Sequence, residues 1–183
     1  MAITPAEASL VFHNADCLYD LEQVEAAIDA MAAAITAKLG TSDPVVLSVM
    51  NGGLIPAGRL LTRLDFPLRQ GYIHATRYRE TTQGHDLNWV HRPDFSLRGQ
   101  TVLIIDDILD EGYTLEALIE ACREMGAAEV YSALLCEKEH DRGVDIQGDF
   151  IGLKVPDRYV FGYGMDYKGY LRNAPGIYAV AGE

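Results

Sequence analysis

The chain has 183 residues, with 27 acidic against 15 basic side chains and a formal net charge of −12. That balance argues against non-specific nucleic-acid binding and against an anionic membrane surface. It leaves room for a small anionic ligand held by backbone N–H groups, a metal and a few placed cations. The length and the 49% hydrophobic content suit one globular domain with a sizeable core. Cys17, Cys122 and Cys136 are odd in number and widely spaced. This pattern predicts reduced, buried residues of a cytosolic protein rather than a disulfide framework. The N-terminus does not read as a signal peptide, and no apolar run is long enough to span a bilayer, so the expected location is the cytoplasm.

Residues 1–18 give no clear element. From Asp20, apolar residues recur with helical spacing at Leu21, Val24, Ile28, Met31, Ile35 and Leu39. Asp20 suits the N-cap and Gly40 the stop. Pro44 to Met50 reads as a strand buried on both faces. It runs into Asn51-Gly52-Gly53, and a helix is expected over Leu54 to Leu64. The turn is either a plain glycine turn or a ligand loop at the carboxyl end of a parallel strand. Leu68 to Tyr78 and Leu87 to Val90 read as a hairpin whose polar tip, from Arg79 to His85, carries Gly84.

The most informative stretch is Thr101 to Leu115, TVLIIDDILDEGYTL. Four apolar residues, Val102 to Ile105, predict a buried strand. Asp106 and Asp107 follow, then Asp110. Gly112 and Thr114 open a helical run through Leu115, Leu118, Ile119 and Cys122, ending near Gly126. A helix N-terminus offers free N–H groups and the positive end of a dipole, which attract a phosphate. The carboxylates beside it need other work, such as holding vicinal hydroxyls or a divalent metal. A Walker B strand would need a G-x-x-x-x-G-K-[ST] loop upstream, and none is present. The acidic pocket of a response regulator normally sits on a first strand, not mid-chain. An ordinary βα turn with solvated acids is the bland alternative. Glu129 to Cys136 is the next strand, followed by the charged stretch EKEHDR. Residues 149–172 then hold much of the aromatic content.

VLIIDDILDEGYT resembles the phosphoribosyl pyrophosphate (PRPP) signature of the type I phosphoribosyltransferases. The resemblance implies an α/β fold: a mostly parallel, flavodoxin-like sheet with helices on both faces and a small C-terminal hood. The expected core spans about 20–136. The hood spans about 137–183 and takes in part of the N-terminus. It implies that Asp106 and Asp107 face the ribose hydroxyls and a Mg²⁺ shell. Asp110, Glu111, Gly112, Tyr113 and Thr114 would cradle the 5′-phosphate. Asn51 and Gly52 would bind pyrophosphate through backbone N–H groups, at a place where the family often carries Lys-Gly. Arg77 and Tyr78 stand where the family has a flexible lid.

The later segment is similar to the purine-binding hood of the hypoxanthine-guanine branch. The residues that carry this are Val155-Pro156-Asp157, Arg158, Tyr159, Val160, Asp166-Tyr167 and Arg172, with Lys138 at the end of the preceding strand. The similarity implies that Lys138, Tyr159, Val160 and Asp166 bind the purine. Asp166 would also hold metal on the pyrophosphate side, beside Arg172. The implied reaction transfers the phosphoribosyl group of PRPP to N9 of a 6-oxopurine, giving IMP or GMP and pyrophosphate. Asp110 is the expected general base, its pKa raised by desolvation near the purine. Alternatively it only hydrogen-bonds N7. The implied assembly is a homodimer or homotetramer, with no nucleic-acid or membrane partner. Two other readings share the PRPP motif. One is a non-catalytic PRPP-binding regulator, which would be expected to carry a basic nucleic-acid surface. The other is a transferase for xanthine or a pyrimidine.

Overall fold

The computed structural model describes residues 3–77 and 87–182; the side chains of Thr76, Arg77 and Leu87 are left out. Five parallel strands and one antiparallel strand form the main sheet. In chain order they are β2 (Val45–Val49), β3 (Arg69–Arg77), β4 (Leu87–His91), β5 (Thr101–Leu109), β6 (Glu129–Glu139) and β7 (Phe150–Pro156). The spatial order is β4-β3-β2-β5-β6-β7, and only the β3–β4 hairpin is antiparallel.

The apolar runs of β2 and β5 feed two cores by the period-two rule. Val46, Leu103 and Ile105 pack on α2 (Leu21–Leu39) and α3 (Leu54–Leu61) through Ile28, Ile35 and Leu60. Val45, Leu47, Val102 and Ile104 pack on α4 (Tyr113–Glu124) through Leu118, Ile119 and Cys122. Burial on both faces is why these strands read as near-continuous apolar runs. Asp20 caps α2 as expected, in a capping box. Its carboxylate accepts from Gln23 N–H at 2.9 Å, and its own N–H donates to Gln23 Oε1 at 3.0 Å.

The chain leaves β2 for β3 on one side and returns as β5 on the other. The carboxyl ends of β2 and β5 therefore flank a topological switch point, where open α/β sheets collect ligands. Above it sits a separate three-stranded sheet, β1-β9-β8, made of β1 (Asp16–Tyr19), β8 (Val160–Phe161) and β9 (Ile177–Ala179). Phe12 of α1 (Pro5–Asn14) packs edge-on against Tyr178 at 5.0 Å. N-terminal residues thus pack on this small sheet.

Several expectations need correction. The strand predicted to end at Ile105 continues to Leu109, so both acids of the pair lie on β5. Phe150 to Pro156 lies not in the hood but in the main sheet, as its edge strand β7, paired to β6. The core therefore runs past 136. Cys122 and Cys136 are buried, but Cys17 is exposed. Among the described residues no helix is long and apolar enough to cross a membrane.

Candidate functional site

The acidic pair sits at the carboxyl end of β5, half-buried between β2 and β6. The Asp107 N–H donates to Asp106 Oδ1 at 2.8 Å. Burial, with the neighbouring Asp107 charge, pushes the Asp106 carboxyl well above the ordinary carboxylate range. Burial also raises Asp107, partly offset by its bond to Asp106 and by Arg172. Two acids that resist ionising side by side fit a partner with positive charge or donated hydroxyls. Arg172 supplies some of this from 4.0 Å.

Asp107 also lies directly on the turn after β2. A side chain at Gly52 would collide with its carboxylate. The Met50–Asn51 peptide is cis, and Asn51 is exposed at the turn. The hood closes this end. A side chain at Gly164 would meet the Gly52 carbonyl, and Arg172 donates to the Gly164 carbonyl at 2.6 Å. Arg172 also pairs with Asp166 at 2.6 Å, while the other Asp166 oxygen accepts from Gly169 N–H at 2.7 Å.

Beyond the pair, Leu109 ends β5 and the chain turns through Asp110, Glu111 and Gly112 into α4. Gly112 takes a left-handed conformation (φ 81°), and a Cβ there would strike Ile146 and Val144. Only glycine meets both demands. Asp106 to Leu115, with Leu134, line a cavity of about 420 Å³ over the first turn of α4. An adjoining cavity of about 220 Å³ is lined by Asp107, Ile108, Asp110, Lys138, Tyr159, Val160, Met165 and Asp166. The two share Asp107, Ile108 and Asp110. Tyr159 is 38% exposed and sits edge-on to Tyr167 at 5.1 Å.

Strand register explains how Lys138 reaches Asp110. β5 and β6 pair Leu109 with Glu137, which sets the next residues side by side. Lys138 Nζ donates to Asp110 Oδ2 at 2.8 Å, and Oδ1 lies 2.8 Å from His140 Nε2. Burial tends to raise the Asp110 carboxyl, but these two partners outweigh it and hold it below its usual range. Lys138 and His140 thus hold Asp110 low, against the direction that burial alone would give.

The structure thus brings Asn51, Gly52, Asp106, Asp107, the 110–114 loop, Lys138, Tyr159, Val160, Asp166 and Arg172 to one end of the sheet. It does not gather Asp106, Asp107 and Asp166 into one metal cage. No group of three or more metal-ligating side chains forms among the described residues. Tyr78 and the side chain of Arg77, expected in a lid, lie outside the described residues. Sequence reasoning missed Ile108, Met165 and His140. His140 was within reach, because it lies two residues after Lys138 and so on the same side of an extended chain.

Comparison with known proteins agrees with this architecture. The family described as "Phosphoribosyl transferase domain" matches residues 14–168. A hypoxanthine-guanine phosphoribosyltransferase of Bacillus subtilis (strain 168) is 31% identical over 157 residues, covering 85% of this chain and 87% of the relative. A hypoxanthine-guanine-xanthine phosphoribosyltransferase of Tritrichomonas foetus is 30% identical over 161 residues, covering 87% and 88%. The crystal structure of a hypoxanthine phosphoribosyltransferase from Staphylococcus aureus superposes with a TM-score of 0.87 at 25% identity, covering 93% of this chain and 94% of the other.

Proposed function

This chain belongs to the phosphoribosyl transferase family, and we propose that it joins N9 of a 6-oxopurine to C1′ of PRPP with release of pyrophosphate, as an enzyme of purine salvage. The observation that carries this reading is the Lys138–Asp110 pair. A cation and a carboxylate, 2.8 Å apart, stand where the purine-sized cavity meets the phosphate-loop cavity. The names of the B. subtilis and T. foetus relatives support the same substrate class.

On this reading, the first turn of α4 receives the 5′-phosphate on backbone N–H groups of the 111–114 loop. Asp106 and Asp107 accept from the ribose hydroxyls. The base lies against Tyr159, with Val160 and Met165 excluding water around it. Lys138 donates to the 6-oxo group. Asp110 accepts the proton that the purine loses as N9 bonds to C1′. The Asn51–Gly52 backbone and the Arg172 guanidinium meet the negative charge gathering on the departing pyrophosphate, an oxyanion-type stabilisation. The hood holds Arg172 in place through Gly164 and Asp166.

The donor set also fits Mg²⁺. The Asp106–Asp107 pair offers hard oxygens of suppressed acidity, with the Arg172 guanidinium 4.0 Å away. Asp106 and Asp107 would hold the ion with PRPP oxygens, and Asp166 a second on the pyrophosphate side. Held there, Mg²⁺ would supply Lewis-acid charge neutralisation of the leaving group.

The test mixes the protein with PRPP, Mg²⁺ and each nucleobase in turn and measures pyrophosphate. Release is expected with hypoxanthine, guanine or xanthine. PRPP binding without turnover on any base would favour a regulator. Turnover only with a pyrimidine would overturn the hood assignment.

A further inference from the structure

We propose that His140 is a positioning residue for this reaction: it clamps one oxygen of Asp110 so that the other stays aimed at the purine cavity. The inference rests on Asp110 acting as the proton acceptor. The two oxygens of Asp110 are not equivalent. Oδ2 faces Lys138, which lines the purine cavity with Tyr159 and Asp166. Oδ1 faces His140, whose side chain is 7% exposed and lines a different cavity, behind the phosphate loop. His140 is not among the residues that line the purine cavity.

Its tautomer follows from its other partner. The Arg142 N–H donates to His140 Nδ1 at 3.1 Å. A backbone amide can only donate, so Nδ1 accepts, and Nε2 carries the hydrogen given to Asp110 Oδ1. Such an imidazole fixes the carboxylate plane without adding a charge and without offering an acceptor that would draw off its proton.

The ring is itself held by its loop. Arg142 forms a two-pronged ion pair with Asp157, at 2.8 Å through Nη2, and lies 3.7 Å from Asp110 and 3.8 Å from Glu111. Val144 N–H donates to the Glu111 carbonyl at 3.0 Å. The loop after β6 thus braces the phosphate loop from behind.

When a 6-oxopurine enters, Lys138 turns an N–H to its oxygen and releases Oδ2. With Oδ1 clamped, the carboxylate cannot swing away. The N7–H bond breaks as the proton moves to Oδ2. The ring electrons form the N9–C1′ bond, and the pyrophosphate oxygen leaves with the pair from its bond to C1′. Atoms and charge balance without a further reactant.

The test compares His140→Phe, which keeps a ring but loses the donor, with His140→Gln, which keeps an N–H. Turnover of hypoxanthine should fall about tenfold or more in the Phe variant, the scale of one hydrogen bond to a charged group. The KM for PRPP should stay within about twofold, since only the acceptor step is touched. The Gln variant should recover most of the loss. The acid limb of kcat should also move to higher pH in the Phe variant, because one of the donors holding the Asp110 carboxyl low is gone. The other charges facing Asp110 are unchanged: Lys138 on β6, Arg142 and its partner Asp157, Glu111 on its own loop, and Asp107 and Asp166 across the purine cavity.

Unchanged turnover and acid limb in the Phe variant, or a Gln variant no better than Phe, would overturn the inference. Should the Phe variant fail to fold, long-range ¹H–¹⁵N spectra of the wild-type protein decide. An Nε2–H tautomer is expected, and an Nδ1–H tautomer overturns it. A wild-type protein that releases no pyrophosphate with any base would instead overturn the proposed function. An active protein indifferent to His140 would sink this inference alone.

Discussion

Replacing Lys138 by glutamine should change which base the protein accepts. The Lys138 side chain is only 14% exposed and its ammonium is already bonded to Asp110 at 2.8 Å, so water has limited access to its donors. Hypoxanthine, guanine and xanthine present an acceptor oxygen at C6. Adenine presents an amino group, which would meet the ammonium donor to donor. A hydrogen bond to a charged group contributes about 1.5–3 kcal/mol, and each ~1.4 kcal/mol is a factor of ten in rate. The wild-type protein should therefore favour hypoxanthine over adenine by roughly ten- to a hundredfold in kcat/KM. A glutamine can turn either its oxygen or its amide to the ligand, so Lys138→Gln should lose activity on hypoxanthine and narrow the gap. A second effect has a definite sign. Lys138 is one of the groups holding Asp110 low, so its loss raises the carboxyl, and the ionised form disappears at a higher pH than in the wild-type protein. The assay is steady-state pyrophosphate release with each base across the acid range. If the wild-type protein used adenine as readily as hypoxanthine, the role of Lys138 and the 6-oxopurine assignment would both be wrong, although the PRPP site could stand.

Asp110→Asn keeps the shape but removes the base. Turnover should drop by about a hundredfold or more with little change in PRPP affinity, and near-normal turnover would exclude Asp110 as proton acceptor. Trp89, with Arg92 lying 4.6 Å over its ring, is the sole tryptophan and flanks the expected lid. Its emission should change when PRPP, Mg²⁺ and a purine analogue bind together, and unaltered emission would count against a ligand-linked change at this edge of the sheet. Glu25 joins Arg59, Arg63 and Tyr163, tying α2 to α3 and to the hood. Burial works against its charge, but these partners prevail and lower its pKa in the folded protein. A depressed carboxyl contributes stability above its unfolded value near 4.5, lost as pH falls through the folded value. Glu25→Gln should therefore lower the melting temperature at neutral pH and converge with the wild type in acid. A constant difference across that range would refute the linkage.

Much of the fold was legible because its central strands are buried on both faces. Val45–Val49 is apolar except for the buried Ser48, Val102–Ile105 is apolar throughout, and the Asp20–Gln23 capping box marks the start of α2. Other elements were not read for specific reasons. α1 has weak amphipathic character, yet Thr4-Pro5-Ala6-Glu7 carries a capping box with proline at the first turn, a signal that could have been used. β7 is an edge strand with mixed burial. Its sequence runs straight into the Pro156-Asp157 turn of the hood, so periodicity alone could not separate the two.

The site was legible in its residues but not in their pairing. Asp110 and Lys138 are 28 positions apart, and only the β5–β6 register makes them neighbours. That register also decides the chemistry. A lone carboxylate near an apolar base would be raised by desolvation, whereas one held by Lys138 and His140 is lowered. On the proposed reading, a 6-oxo group that drew Lys138 away would strengthen the acceptor, so the contact that selects the purine would also release Asp110. A base lacking that oxygen would leave Lys138 on Asp110 and the carboxylate weak. Selectivity would then appear in turnover as well as in binding, the pattern expected when an interaction is realised only on the way to the transition state.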